Sequence, residues 1–578
     1  MYFDQIVDIP QIPGITKLRK PNITYIRYAA GRIYNRDKQY NVPQHKIIGK
    51  QVEGDETKMH PNENYEKYLP DFANEKLLIN PMRSMTLKVG TFFVMRHVMK
   101  ELDLHKKLLS FFDEKQAGKI LDLAAYSIVT EGNKAEYYPM YTFDHPLFTE
   151  QMHRYGDSSV SNLLQSITDD QTVGFRNQLN AEKDHNQEIN LSYDSTNKYC
   201  QAGDIEMVKT GHSKNGQSQP IFNYAIGYDL TNQEPLFYEW YPGDIPDISE
   251  LEFMVNKVTA YGYKKITFIM DRGYFSEQNL RYIDGKEFFF IIMCKGCKDL
   301  VSEVIRSNRG TFESDRECKI NSEGVYGTTV IRELAGKDRW FHLYHSTIKE
   351  HLERVQLESK IDQERKVLEK LIGSKIKSDS AYKKHFILEI DPKDGTLVCF
   401  GEDKEAIEAE LNLCGYFAII TSREMNAQDA YRIYKSRDTS EKLFSGDKTF
   451  LGDAAIRVGS TESASAKIFI EFLALMVRSR MYTELKDEKE KIEKEPNFMT
   501  VPGAVAELEL IQMTKGADGR YRLDFAISKN QKMILKAFGM TAAEVKKETE
   551  LLADELKNYE AGESAENAKN GGTENEQG

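Results

Sequence analysis

Three textures of apolar and polar positions succeed one another along the chain. From 16 to 50, Thr, Ile, Val and Tyr recur in short runs broken by Gly31 and an Asn-Arg-Asp cluster. That pattern predicts a small β-meander. From 86 to 185 apolar residues fall at three-four spacing, as in TLKVGTFFVMRHVMKELDLHKKLLSFF and KQAGKILDLAAYSIVTEG. This is the helical period, and Ser158 or Ser159 is the expected N-cap of the helix DSSVSNLLQSI. From 188 the pattern changes again. QEINLSYDST, IFNYAIGYDL and QEPLFYEWYPG read as strands, DISELEFMVNKVTAYG as an amphipathic helix, KITFIMDRGYF as a buried strand, SEQNLRYID as a short helix and EFFFIIMCK as a strand.

The order from 188 is therefore β-β-β-α-β-α-β. Three strands in meander followed by alternating helices and strands is the ribonuclease H-like pattern. In that fold the first and fourth strands lie side by side, which brings Asp194 next to Asp271. Residues 298–414 interrupt the pattern with a β-like part and a charged helix, and Gly415–Thr421 resumes as a core strand. The expected fold is α/β: a ribonuclease H-like catalytic core interrupted by a mixed α+β insertion, with a β/helical N-terminal region and a small C-terminal region. The expected organisation is a basic β-rich module (1–85), a helical DNA-binding region (86–185), the first part of the core (186–297), the insertion (298–414), the second part of the core (415–484), a C-terminal region suited to dimerisation (485–545), and an acidic, partly disordered tail (546–578). There are no internal repeats.

Composition narrows the class. At 578 residues, 40% hydrophobic and 29% charged, the chain is long enough for several cores. The longest apolar run, Ile468 to Val477, is short and carries Glu471, so no membrane span is expected. The N-terminus lacks the basic-then-apolar layout of a secretory signal, and six scattered cysteines fit a reducing compartment. A cytoplasmic protein is expected. The net charge of −12 argues against nucleic acid only as an average. Residues 1–50 hold nine Lys/Arg against three Asp/Glu, and residues 541–578 hold four against ten. Lys17, Arg19, Lys20, Arg27, Arg32, Arg36, Lys38 and Lys46, with tyrosines interleaved, could touch phosphates; a solvated hairpin is the ordinary alternative. DNA binding needs a local basic surface, not a basic total.

The candidate chemistry centres on Tyr434, Arg437, Glu441 and Lys448. Steps of three and four put the first three on one helical face, and Lys448 shares it if the helix persists through Gly446. Alone, such a stripe is an ordinary solvated face with an ion pair. With Asp194 and Asp271 brought near, Glu441 becomes a third hard oxygen ligand of the kind Mg²⁺ prefers. Three carboxylates suffice for two metal ions about 3.5–4 Å apart, the arrangement that serves in-line phosphoryl displacement. Asp229, at another strand end just before a Thr-Asn-Gln turn, reads as a hairpin residue.

Tyr-Asp-Ser-Thr-Asn (193–197), Asp-Arg-Gly-Tyr-Phe (271–275) and the Tyr434/Arg437/Glu441/Lys448 spacing together resemble the DDE transposases of bacterial insertion sequences. More narrowly they resemble the Tyr-Arg-Glu-Lys group, insertion-sequence family 4 and its relatives. Gly211-His-Ser-Lys214 is similar to a loop common there, and the resemblance runs over roughly 90–480, more loosely to 540. It implies a cut-and-paste DNA transposase. Asp194, Asp271 and Glu441 would form the triad that holds two Mg²⁺ or Mn²⁺ ions. Tyr434, Arg437 and Lys448 would hold phosphates of the terminal nucleotides. Trp340 would be the inserted aromatic that stacks on a flipped base, against core packing as its ordinary role. Lys467 stands where relatives often carry a His before the FLAL run. The implied partners are double-stranded DNA, both terminal repeats and target, and a second copy of the chain in the synaptic complex. Two rivals remain: a catalytically inactive, end-binding relative, and a ribonuclease H-like nuclease without strand transfer.

Other signals read as structure. Cys294 and Cys297 form a CxxC with no second pair at zinc spacing. His212 reads as a loop residue. His342 and His345, three apart on a strand, face opposite sides and read as surface or packing residues. The apolar stripe of the 346–376 helix is expected to pack within the insertion.

Overall fold

In the computed structural model the described residues are 6–570 without 22, 36–39, 53, 70–71, 73–83, 203–204, 213–217, 295–297, 323, 377–380, 451–454, 493–495 and 517–519. Side chains are described for these except 33–35, 40–41, 63, 66, 212, 218, 247, 298–299, 439–450 and 558–570. Arg36, Lys38, Lys214 and Cys297, and the side chains of His212, Glu441 and Lys448, thus lie outside the described set. The chain divides into two compact units. One comprises Met1–Arg96, Lys134–Leu163 and Pro502–Gly578, the other His97–Asn133 and Leu164–Val501.

The first unit opens with strands β1 (Val7–Asp8), β2 (Ile15–Lys20), β3 (Ile23–Asn35), β4 (Tyr40–Gln51) and β5 (Lys58–Pro61). They form an antiparallel sheet in the order β1-β5-β4-β3-β2, so the meander read between 16 and 50 is present as β2-β3-β4. Helix α1 (Glu63–Tyr68), capped by the Asn62 side chain, packs on one face. Its Tyr65 and the following Leu69 join Ile9, Ile26, Ile48 and Met59 in a small core. Gly49 sits where a Cβ would lie 2.5 Å from the Met59 sulfur, so no larger residue fits there without displacing the core.

Strand β6 (Thr86–Lys88) is followed by α2 (Gly90–Glu101), α3 (Leu104–Leu108), α4 (Glu114–Thr130), α5 (Tyr138–Asp144), α6 (Asp157–Ser166) and α7 (Asp169–Ala181). Capping boxes at Asp113/Gln116 and Thr168/Gln171 fix two of the starts. Helix α6 begins at Asp157, two residues earlier than an N-cap at Ser158 implies. The Asp157 carboxylate accepts from the Ser158 N–H at 2.8 Å. A carboxylate is the stronger acceptor at the positive helix end.

The second unit is built on β7 (Ile189–Tyr199), β8 (Lys209–His212), β9 (Ser218–Asp229), β10 (Glu234–Pro242), α8 (Asp247–Ala260), β11 (Ile266–Met270), α9 (Glu277–Gly285) and β12 (Phe289–Met293). It continues through α10 (Lys298–Asn308), β13 (Val325–Leu334), β14 (Lys337–Ser346), α11 (Thr347–Leu371), β15 (Phe386–Ile390), β16 (Leu397–Glu402), α12 (Lys404–Leu411) and β17 (Tyr416–Thr421). It closes with α13 (Ala427–Phe450) and α14 (Thr461–Lys489). The main sheet has the order β10-β9-β7-β11-β12-β17-β14-β13, with β8 beside β9. Strands β7, β11 and β12 are parallel, and the other pairs are antiparallel.

One expectation changes here. Strands β13 and β14, read as part of a separate insertion, extend the main sheet through β17. The reason is burial on both faces: Phe341, His342, Leu343, Tyr344 and His345 are all buried, which an isolated hairpin cannot provide. Only α11, α12 and the β15–β16 hairpin have a core of their own, around Leu357, Ile361, Leu368, Phe386 and Leu397.

Helices cover both sheet faces. Against one, α8 and α9 bring Leu251, Met254, Val258, Leu280 and Ile283 onto Tyr193, Phe268, Met270, Phe290 and Ile292. On the other lie α13 and α14. Helix α14 is apolar on most sides because it is enclosed: Phe469 meets Phe112 of the loop before α4 and Phe175 of α7, while Phe472 meets Tyr238 of β10. Among the described residues no helix is long and apolar enough to cross a membrane.

The C-terminal part adds α15 (Val501–Leu508), β18 (Gln512–Lys515), β19 (Tyr521–Leu523), α16 (Lys529–Ala537) and α17 (Ala542–Asn570). β18 pairs with β6 and β19. Helix α17 runs to Asn570, within the stretch 546–578 expected as an acidic, partly disordered tail.

Candidate active site

The carboxylates are set by strand register. β11 runs parallel to β7 with Met270 level with Tyr193, so the next residues, Asp271 and Asp194, are level too. Neighbouring strands lie about 4.8 Å apart. Tyr193 and Met270 belong to the core under α8 and α9. Side chains alternate along a strand, so Asp194 and Asp271 stand on the opposite face, where Ile269 packs with Tyr434 of α13. Asp194 accepts from the Ser195 N–H at 3.0 Å. Asp271 ends its strand and caps the turn Arg272–Tyr274, accepting from the Arg272 N–H at 2.6 Å. Its side chain remains 42% exposed.

Helix α13 supplies the third side. Tyr434 is buried among Ile269, Ile291, Tyr344 and Ile419. Burial pushes its phenol up to about 12, so it stays a protonated donor at neutral pH. Arg437, one turn on, is buried, lies over the Tyr434 ring and pairs with Asp271 (Nη1 to Oδ1, 3.7 Å). The face drawn from spacing is therefore an inward one, contrary to the ordinary solvated reading. Glu441 lies one further turn along the same helix, about 6 Å by helical rise. The helix continues through Gly446 to Phe450, so Lys448 is helical, two turns after Glu441.

The described donor set fits a hard divalent cation: two carboxylates side by side, with Glu441 on the helix whose Arg437 already reaches Asp271. Among the described residues, which exclude the Glu441 side chain, no group of three or more His, Cys, Asp or Glu is clustered for a metal.

Trp340 is not brought to the carboxylates. It sits on β14, level with Thr421 and Ile331, three strands from β11. Three spacings amount to about 14 Å. His342 shares its face and is buried between the hydroxyls of Thr329 (2.9 Å) and Thr421 (3.0 Å). Burial pushes its imidazole down to about 4, so it is a neutral packing residue. His345 is also buried and meets Glu350 at 2.9 Å. Asp229 accepts from the Thr231 and Asn232 N–H groups, the hairpin role read from the sequence.

One group went unread. Lys198, four residues after Asp194 and on the same strand face, pairs with Glu471 of α14 at 2.6 Å; their side chains are 2% and 1% exposed. Asn133 donates to the other Glu471 oxygen at 2.9 Å. Lys467, one turn before Glu471, is buried nearby, and burial pushes its ammonium down to about 8 against the pull of Glu471. This network ties β7, the strand of Asp194, to α14. The signals were Asp194, Thr196 and Lys198 at period two, and the lone Glu471 in an apolar run.

A cryo-EM structure of the piggyBac transposase synaptic complex with hairpin DNA is similar over 81% of this chain and 85% of that one, at 8% identity and a TM-score of 0.35, too distant to carry structural inference. No curated protein matches. The model of the transposase DDE domain matches residues 187–477, half of the chain, and spans Asp194, Asp271, Trp340 and all of α13. The chain belongs to the transposase DDE domain family.

Proposed function

We propose that this protein is a metal-dependent DNA transposase that cleaves at the ends of a mobile element and joins them to target DNA by a cut-and-paste route, within insertion-sequence family 4 and its relatives. The observation that carries the reading is the level pairing of Asp194 and Asp271 on the face where Arg437 meets Asp271. The order β10-β9-β7-β11-β12, two antiparallel steps and then parallel neighbours, supports a ribonuclease H-like core.

Asp194, Asp271 and Glu441 would hold two Mg²⁺ or Mn²⁺ ions. Such ions activate the attacking oxygen and stabilise the leaving one in an in-line displacement. The residues of the chain do the positioning. Arg437 offers a planar fork to a phosphate and, through its pairing with Asp271, stands beside the carboxylates. Tyr434 is a fixed hydroxyl donor, and Lys448 brings a point charge to the strand. Trp340, half-buried on the same sheet face, is the candidate for stacking on a displaced nucleotide about 14 Å across the sheet from Asp271. Synapsis of two ends calls for a homodimer on DNA.

The test is incubation of the protein with DNA carrying the repeats that flank its gene, with Mg²⁺ and with EDTA. Cleavage at the repeat boundary followed by joining to a second duplex supports the proposal. Cleavage without joining leaves a nuclease, and binding without cleavage leaves an end-holding protein.

A further inference from the structure

The first unit carries a surface that the chemistry above does not use. Ile26 of β3 is buried in the small core with Ile48 and Met59. Its neighbours Tyr25 and Arg27 therefore point to the other face. Register extends that face across the sheet. Leu18, Tyr25, Lys50 and His60 form one row, Thr16, Arg27 and Ile47 the next, and Lys20 stands level with Ile23. Lys58 shares the face as the alternate neighbour of buried Met59. Helix α1 and the core lie on the opposite side.

Cations stand on both sides of the sheet, with Lys17, Arg19 and Lys46 on the core side by register. On the open face Lys20, Arg27, Lys50 and Lys58 place one cation on each of four neighbouring strands, with His60 beside them. Of the described carboxylates between residues 6 and 69, Asp55 and Glu56 sit in the turn before β5. Glu56 pairs with Lys17 (3.6 Å), which register puts on the core side, level with Ile26. Asp8 alone shares the open face, at its edge strand and level with Lys58. The Lys20 ammonium lies 5.9 Å over the Tyr25 ring, and among the described residues the buried Arg27 Nε has no hydrogen-bond acceptor. Four cations at strand spacing span about 14 Å, comparable with the ~12 Å width of the major groove between its phosphate rows.

We propose that this open sheet face docks duplex DNA through its backbone phosphates, with Lys20, Arg27 and Lys50 as the principal contacts. The proposal rests on the DNA reading above and adds to it a second site of contact, outside the unit that carries Asp194 and Asp271. A basic face on a chain of net charge −12 matches a polyanion, and contacts of this kind hold and orient DNA without reading its sequence.

Full-length protein is titrated onto a fluorescent random-sequence duplex of about 30 bp between about 50 and 200 mM salt. The triple variant Lys20→Gln/Arg27→Gln/Lys50→Gln should bind at least about tenfold more weakly at the lower salt, and its plot of log affinity against log salt should be shallower by about three, close to one per phosphate contact. Lys17→Gln should change neither quantity, and Lys20→Arg/Arg27→Lys/Lys50→Arg should keep the wild-type slope. If the triple variant loses its native circular dichroism, the single exposed Lys20→Gln change carries the test, with a slope shallower by about one. A folded variant with wild-type affinity and slope overturns this inference alone. A wild-type protein that binds no duplex overturns the DNA reading itself.

Discussion

Replacing Glu471 should destabilise the second unit more than replacing its partner Lys198, although the two share one ion pair. Glu471→Gln keeps the side-chain volume but removes the only carboxylate among the described groups of the cluster. It takes that negative charge away from two buried lysines, Lys198 and Lys467. Stranding one member of a buried pair costs roughly 3–5 kcal/mol. Lys198→Met leaves Glu471 with the Asn133 amide at 2.9 Å and the nearby Lys467 ammonium. That loss should stay near the ~1.5–3 kcal/mol of a single charged hydrogen bond. The assay is urea unfolding followed by tryptophan emission. Trp240 on β10 and Trp340 on β14 are the chain's two tryptophans, and both stand in the main sheet, so the signal reports the unit that carries Asp194. Equal losses for the two variants, or a Glu471→Gln midpoint at the wild-type value, would refute the argument that one carboxylate holds two buried lysines.

The remaining predictions concern the site and the first unit. Asp194→Ala, Asp271→Ala and Glu441→Ala should each abolish Mg²⁺-dependent cleavage while duplex binding stays measurable; undiminished cutting by any one removes that residue from the triad. Arg437→Ala should lower cleavage by about 10–100-fold (~1.4–2.7 kcal/mol at tenfold per 1.36 kcal/mol) with end binding weakened, and Arg437→Lys should restore it only in part because the fork is lost; full activity of the alanine variant would sink the phosphate role. Lys448→Ala should weaken end handling and leave metal dependence unchanged, so a raised Mg²⁺ requirement would count against it. In the first unit, buried His145 meets Glu509 at 2.8 Å and Asp144 at 2.6 Å. Burial opposes its charge, but the hydrogen bonds to Asp144 and Glu509 prevail and push its imidazole up to about 9. Its folded value lies above the ordinary 6.5. Its contribution is therefore complete below about pH 6.5 and lost as pH rises through about 9. Amide exchange around α5, corrected for intrinsic rate, should accelerate over that window in the wild type and not in His145→Gln.

Much of the second unit was legible in the chain alone because its signals are local. The alternation in QEINLSYDST and the apolar run in KITFIMDRGYF mark strands whose pairing follows from element order, and the three-four spacing of Tyr434, Arg437 and Glu441 marks a face. Other features needed the fold. That the α13 face turns inward, with Tyr434 in the core and Arg437 on Asp271, depends on which helix covers which side of the sheet. No period in the sequence encodes that choice. The persistence of α13 through Gly446 is compatible with the small cost of a helical Gly, about 1 kcal/mol against Ala. The placement of β13 and β14 likewise needed the fold. Their residues specify a hairpin, but joining the main sheet is a long-range antiparallel pairing with β17, about 75 residues away in sequence for the level pair His342 and Ile419. Local sequence thus set the elements and the identity of the charged side chains. Burial between distant elements decided which charges would meet: Lys198 with Glu471 inside the unit and Arg437 with Asp271 at its site.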